Sequence, residues 1–143
     1  MQIFRVANIS DEIYQAFQDL IPQLTTNVPP PTRAELEALV AFEGSVLLAA
    51  RLSTEGKIVG AATLSLVRAP TGVHARLEDV VVDGAARGQG VGAALTEEVI
   101  RMAREMGANY LALTSNPRRE AANQLYQKLG FKRWETNVYR FDL

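Results

Sequence analysis

Leu77-Glu-Asp-Val-Val-Val-Asp-Gly-Ala-Ala-Arg-Gly-Gln-Gly-Val-Gly92 is the stretch on which the reading of this chain turns. Its first half is a run of β-branched apolar residues, the pattern of a buried strand. A short loop follows, and then three glycines lead into a long helix. The first N–H groups of any helix lack intrahelical partners and lie in the positive field of the helix dipole. Where glycines strip side chains from that end, the free amides form an anion site suited to phosphate or pyrophosphate.

Outward from this stretch, the chain alternates strands and helices. Residues 3–6 read as a short strand, and Ser10 caps a helix through Ile13, Phe17 and Leu20 that is expected to end near Pro22. Residues 23–31, rich in Thr, Asn and Pro, read as a loop, a lid or a plain connection. Thr32 and Glu35 make a capping box for a second helix to about Phe42. Residues 46–51 and 57–67 read as an antiparallel hairpin, and residues 69–74 as a turn into the strand that ends at Val80, Val81 and Val82. Beyond Gly90, the stripe Val91, Leu95, Val99, Met102, Met106 keeps the helical period, and Gly107 closes that helix. Residues 109–114 read as the next strand, Asn116-Pro117 as a helix start, and Gly130 as that helix's end. Two last strands are expected at 131–134 and 138–141, with Phe131 and Trp134 in the core. The expected fold is α/β: a mixed sheet with antiparallel N-terminal strands and a central parallel strand–helix–strand unit, in one domain over 1–143.

Composition narrows the function classes. A formal net charge of −1 over 143 residues gives no support to a nucleic-acid or membrane-surface role. The absence of cysteine removes disulfides, thiolate metal ligands and a cysteine nucleophile together, and suits a reducing compartment. Met1-Gln-Ile-Phe-Arg lacks the blocks of a signal peptide, and no apolar run approaches a membrane span. The expectation is a cytoplasmic enzyme or binding protein without a metal. The sole histidine, His74, reads as a solvated turn residue.

Gly88-Gln-Gly-Val-Gly-Ala93 also satisfies a dinucleotide-binding pattern. That fold needs an acidic residue about twenty positions on and a second half of sheet, and the chain offers neither. A P-loop lysine is missing too. Arg87-Gly-Gln-Gly-Val-Gly92 instead resembles the [Q/R]-x-x-G-x-[G/A] signature of the GNAT superfamily of acyl-CoA-dependent N-acyltransferases. Ala122-Asn-Gln-Leu-Tyr-Gln-Lys-Leu-Gly-Phe131 is similar to that family's A-x-x-x-Y-x-x-x-G-F segment. The resemblance covers about residues 46–143 in motif and element order, and the N-terminal part in element order only.

The resemblance implies the GNAT fold and an N-acetyltransferase that uses acetyl-CoA. Arg87, Gly88, Gln89, Gly90, Val91 and Gly92 then hold the pyrophosphate of coenzyme A, and the backbone of Val80, Val81 and Val82 pairs with the pantetheine arm. A backbone N–H near Val80 polarises the thioester, and Tyr126 gives a proton to the departing sulfur, although its place on an apolar stripe also suits a core residue. An alkyl amine is mostly cationic at neutral pH, so attack on the thioester needs a base. Glu78 is the candidate, because in a regular strand it shares a face with Val80 and Val82 and Asp79 faces the other way. Binding the acceptor ammonium and pairing with an arginine are the other roles open to it. Where many relatives carry an asparagine that contacts the cofactor, this chain has Arg119, and Asn123 or Asn116 is left to make that contact.

The reaction so implied is acetyl transfer to a primary amine by direct attack in a ternary complex. A catalytically silent acyl-CoA sensor or interaction module on the same fold is the alternative. The acceptor, a small-molecule or protein amine, is not named by the sequence. The C-terminal strands offer an edge for a homodimer, as in many relatives.

Overall fold

The strands β1 (Gln2–Arg5), β2 (Ser45–Arg51), β3 (Ile58–Ala69), β4 (Gly72–Val82) and β5 (Leu111–Ala112) form one sheet in chain order. The first four pair antiparallel through consecutive connections, and β5 joins β4 parallel after a helical crossover. The helices are α1 (Asp11–Leu24), α2 (Arg33–Ala41), α3 (Val91–Glu105) and α4 (Glu120–Lys128). The computed structural model describes all 143 residues. The chain divides into two compact units, Met1–Leu113 and Thr114–Leu143.

In the first unit the helix starts follow local chemistry. Ser10 Oγ accepts from Ile13 N–H at 3.2 Å. Glu35 N–H donates to Thr32 Oγ1 at 3.2 Å and Thr32 N–H to Glu35 Oε2 at 2.9 Å, the reciprocal pair of a capping box. α1 runs past Pro22 to Leu24. A proline this near the C-terminus forfeits one backbone bond while Thr25 N–H still closes the last turn on Ile21 O at 3.0 Å. The turn expected over 69–74 is tighter: Ala69 faces Gly72, and His74 already lies in β4 opposite Val67.

Both faces of the sheet are covered. Val6, Ile13, Phe17, Leu20 and Leu36 pack with Leu47, Ala49, Ile58, Ala61 and Val81 on one face. On the other, a Cβ built on Gly60 would lie 2.8 Å from Val91 Cγ1 and 3.1 Å from Leu95 Cδ1, so α3 seats directly on β3 there. Leu48, Leu64, Leu95, Val91 and Val99 are fully buried. Each such side chain contributes roughly 1.5–3 kcal/mol relative to exposure.

These two faces expose a discontinuity in β4. Leu64 alternates with Gly60 and Ala62 along β3 and therefore faces α3, and its partner Leu77 faces the same way. Val81, paired with Ala61, packs on the α1 side. Residues 77 and 81 of a regular strand would share a face, so one extra residue lies between them. The register places it: Thr63 pairs with Glu78 and Ala61 with Val81, leaving Asp79 and Val80 opposite Ala62 alone. Asp79 has φ +50°, the chain's one non-glycine residue at positive φ. This is a β-bulge whose first residue is left-handed, a position that favours glycine. Glu78 therefore shares its face with Val81, not with Val80 and Val82 as regular alternation predicts.

Pairing of β5 with β4 covers only Ala75–Leu111 and Arg76–Ala112, extended by single bonds from Asn109 N–H to Val73 O and Ala75 N–H to Tyr110 O. The strand expected over 109–114 is thus two residues long, and β4 beyond Arg76 has no strand on that side.

In the second unit α4 starts at Glu120, not at Pro117. Asn116 Oδ1 accepts from Arg118 N–H at 2.9 Å and Asn116 O from Arg119 N–H at 3.0 Å, which makes a separate turn ahead of the helix. The helix ends in a Schellman motif: Gly130 N–H donates to Gln127 O at 3.1 Å and Phe131 N–H to Tyr126 O at 3.0 Å, with Gly130 at φ +99°. The strands expected at 131–134 and 138–141 do not form; residues 129–143 carry no helix or strand. Trp134 is 80% exposed, so it is not a core residue. Aromatic and β-branched composition makes a strand only where a partner strand pairs with it.

Candidate active site

The glycine-rich segment forms an uncapped helix start. Asp83 organises its entry: Oδ1 accepts from Ala85 N–H at 2.9 Å, Oδ2 meets Lys57 Nζ at 3.3 Å, and a 3-10 turn follows over Gly84–Ala86. The Ala85 amide, followed by Lys57, holds the Asp83 carboxyl below its ordinary range. Gln23 Oε1 accepts from Gly84 N–H at 2.9 Å, tying the end of α1 to this loop. Gly88 at φ +77° and Gly90 at φ +82° then turn the chain into α3.

Gly90 is the N-cap and has no side chain to give the helix. The first intrahelical bond is Ala94 N–H to Gly90 O at 3.0 Å, so the amides of Val91, Gly92 and Ala93 precede the ladder. Val91 is buried and anchors this turn, whereas Arg87, Gly88, Gln89 and Gly90 are exposed. Built Cβ atoms on Gly88 and Gly90 meet nothing within 4 Å, so left-handed backbone rather than crowding demands glycine there. An approachable rim of amides with a nearby guanidinium suits a diphosphate.

Glu78 is half-buried and ion-paired: Arg76 Nε lies 2.7 Å from its Oε1. Of the roles open to Glu78, pairing with an arginine is the one seen. Asp79, which alternation points away from the site, sits at the bulge beside it. Although the residue is exposed, surrounding protein displaces enough water to raise its carboxyl pKa, and the neighbouring Glu78 charge adds to the effect. No signal in the sequence marks Asp79, because a bulge is a property of strand pairing. Val80, Val81 and Val82 follow directly, with Val81 buried and its neighbours half-buried.

His74 is a clamp rather than a solvated turn residue. Its Nδ1 is hydrogen-bonded to Tyr110 Oη at 2.8 Å and its Nε2 to Thr71 Oγ1 at 3.1 Å. The ring lies over Tyr110 with centroids 4.6 Å apart.

Tyr126 and Asn123 belong to the second unit. Tyr126 is buried, and its ring meets Phe131 edge-on at 5.7 Å. That contact joins the two ends of the Schellman motif, which explains in physical terms why tyrosine, glycine and phenylalanine stand at this spacing. Burial pushes the Tyr126 hydroxyl up in pKa, opposed in part by Arg119, so the group is protonated at neutral pH. Asn123 Nδ2 donates to Asn116 O at 3.0 Å, a local bond that braces the turn against α4.

Residues 11–131 match the acetyltransferase (GNAT) family model, a span that crosses the boundary between the two units. Over 113 residues, 75% of the chain, it is 38% identical to a mycothiol acetyltransferase of Paenarthrobacter aurescens, of which it spans 34%. Over 125 residues it is 31% identical to a glucosamine 6-phosphate N-acetyltransferase of Trypanosoma brucei brucei, covering 82% of each. Among solved structures, an acetyltransferase of Trypanosoma brucei superposes with a TM-score of 0.79 at 28% identity over 99% of both chains. One from Agrobacterium tumefaciens superposes at 0.85 with 23% identity over 99% of this chain and all of that one, a likeness of fold. The sheet is also not the doubly wound parallel sheet of dinucleotide-binding proteins, since one strand pair of four is parallel. The chain belongs to the GNAT family of acetyltransferases.

Proposed function

We propose that this protein transfers an acetyl group from acetyl-CoA to a primary amine by direct attack in a ternary complex, as one catalytic domain spanning both units. The observation that carries the reading is the uncapped, left-handed Gly88–Gly90 entry into α3, whose free amides suit the diphosphate of coenzyme A. Arg87 adds charge to this cradle. The backbone of Val80, Val81 and Val82 takes the pantetheine amides as a further strand would. The amide near Val80 polarises the thioester carbonyl, and Tyr126, protonated at neutral pH, supplies the proton to sulfur. Asn123 is the candidate for a cofactor contact through its free carbonyl oxygen.

The acceptor is an amine of a small molecule or a protein. The likeness to a glucosamine 6-phosphate N-acetyltransferase over most of both chains favours a small polar amine. No helix is long and apolar enough to cross a membrane, which supports placing the enzyme in the cytoplasm. A free-thiol release screen with acetyl-CoA against amines, amino sugars and peptide N-termini tests the activity. Acetyl-CoA binding without thiol release across the panel would favour the silent sensor, and no binding below millimolar concentration would end both readings.

A further inference from the structure

We propose that Arg76 is a specificity residue that binds an oxyanion on the acceptor, so that the substrates are amines carrying a carboxylate or a phosphate; this rests on the acetyl-transfer reading above. The ground is a polar floor on one face of the sheet, within the first unit. On the side of α1 and α2, the apolar cluster takes Ala61 from β3 and Val81 from β4 and ends there. The next cross-strand pairs on that face are Thr63 with Glu78 and Ser65 with Arg76. Leu64 and Leu77 point toward α3 between them, so alternation puts all four polar side chains on the α1 side. β3 and β4 are interior strands of the sheet, where a face covered by a helix is apolar. Here the face is half-exposed and carries two hydroxyls, a guanidinium and a carboxylate. Such a face suits a hydroxylated, charged small molecule and is costly to pack against apolar side chains.

Arg76 is held differently from the arginines that brace the fold. Arg33 and Arg51 each donate one Nη to a backbone carbonyl, of Ile9 and Gly56, and the other to a carboxylate, of Asp11 and Glu12. Each also lies over an aromatic ring, of Tyr14 and Phe4. Arg76 makes none of these ties. Its Nε donates to Glu78 Oε1 at 2.7 Å, which orients the guanidinium and leaves both Nη groups. Those groups form an edge that receives a carboxylate or phosphate through two parallel bonds. Ser65, directly across from Arg76, brings a hydroxyl beside the same edge. Strand β4 runs from Arg76 toward Val82 and the Arg87–Gly92 cradle. An acceptor on this floor therefore has its oxyanion at Arg76 and its amine toward the cradle. The two groups stand at opposite ends of the molecule, as in an ω-amino acid or an amino-sugar phosphate, and not on one carbon as in an α-amino acid.

The test measures thiol release from acetyl-CoA by the full chain with two matched pairs of acceptors. Glucosamine 6-phosphate against glucosamine reads a phosphate, and 4-aminobutyrate against butylamine reads a carboxylate. The wild type should favour the charged member of at least one pair by about tenfold or more in kcat/KM, and the pair that responds identifies the oxyanion. Arg76→Gln should remove that preference, the loss falling on KM for the charged member far more than on kcat. Arg76→Lys, which keeps the charge without the paired edge, should retain part of the preference, and it carries the test where Arg76→Gln lowers the Tm. Thiol release confined to amines without an oxyanion, equal kcat/KM within both pairs, or an Arg76→Gln loss shared equally by charged and neutral acceptors overturns the assignment and leaves acetyl transfer standing. A wild-type protein that releases no thiol with any amine overturns the acetyl-transfer reading itself, and this assignment with it.

Discussion

Gly60→Ala adds one methyl group at the contact that seats the candidate cradle on the sheet. The new Cβ would lie 2.8 Å from Val91 Cγ1, against the 3.4 Å at which ordinary contact begins, a shortfall of about 0.6 Å. Leu95 Cδ1 at 3.1 Å and the Val81 carbonyl oxygen at 3.2 Å close the other directions. Val91 and Leu95 are 1% and 0% exposed, so neither has empty space to retreat into. Overpacking of this kind costs about 1–3 kcal/mol, which for a chain of this size lowers Tm by roughly 3–10 °C. Because Val91 is the first residue of α3, the relief is taken by moving the helix start, and acetyl-CoA affinity should fall in the same variant. Thermal unfolding followed by circular dichroism reads the first effect and titration calorimetry the second. Gly60→Ala/Val91→Ala should be more stable than the sum of the single variants predicts, since the second change removes the atom that the first one strikes. A Gly60→Ala protein within about 1 °C of the wild-type Tm, or strictly additive behaviour of the pair, would refute this account of the seat.

Other expectations follow from the same geometry. Gly90→Ala should weaken acetyl-CoA binding through the strain of a left-handed alanine, about 1 kcal/mol, and Gly90→Glu should abolish it by adding a carboxylate at the anion site; equal affinity of all three proteins in calorimetry would count against the cradle. Tyr126→Phe should slow steady-state turnover about tenfold or more while leaving acetyl-CoA affinity intact, a thiolate being a tolerable leaving group without its proton; unchanged turnover would return Tyr126 to a purely structural role beside Phe131. Asp83 has its pKa lowered in the folded protein, so its stabilising contribution is complete above its ordinary value of 3.8 and is lost as pH falls through the lower folded value. Asp83→Asn should therefore flatten the dependence of Tm on pH in that acid window, and an unchanged slope would contradict the assignment. Thr32→Ala should cost about 1 kcal/mol through loss of the capping box, measured by urea denaturation.

The parts of this protein that were legible in its sequence are those made by residues close together along the chain. The Thr32–Glu35 box, the Ser10 cap, the glycine entry to α3 and the Gly107 and Gly130 caps each depend on a few neighbouring residues, and the structure has them where the pattern puts them. Tyr126, Gly130 and Phe131 form a motif in the sequence, and the structure supplies its mechanics in a helix-terminating bond pair and a ring contact. What the sequence alone did not yield depends on partners far away in the chain. The strands expected after Gly130 required neighbours that composition does not supply. Alternation puts Glu78 on the wrong face because it assumes an unbroken register, and the register between β3 and β4 slips by one residue at Asp79. An Asp at positive φ looks like any other Asp in sequence. It becomes visible only when Thr63 and Ala61, fifteen and more residues upstream, take Glu78 and Val81 as their partners and leave the extra residue between them. Local motifs determined which ligand to look for; long-range strand pairing decided how the carboxylates of β4 are placed.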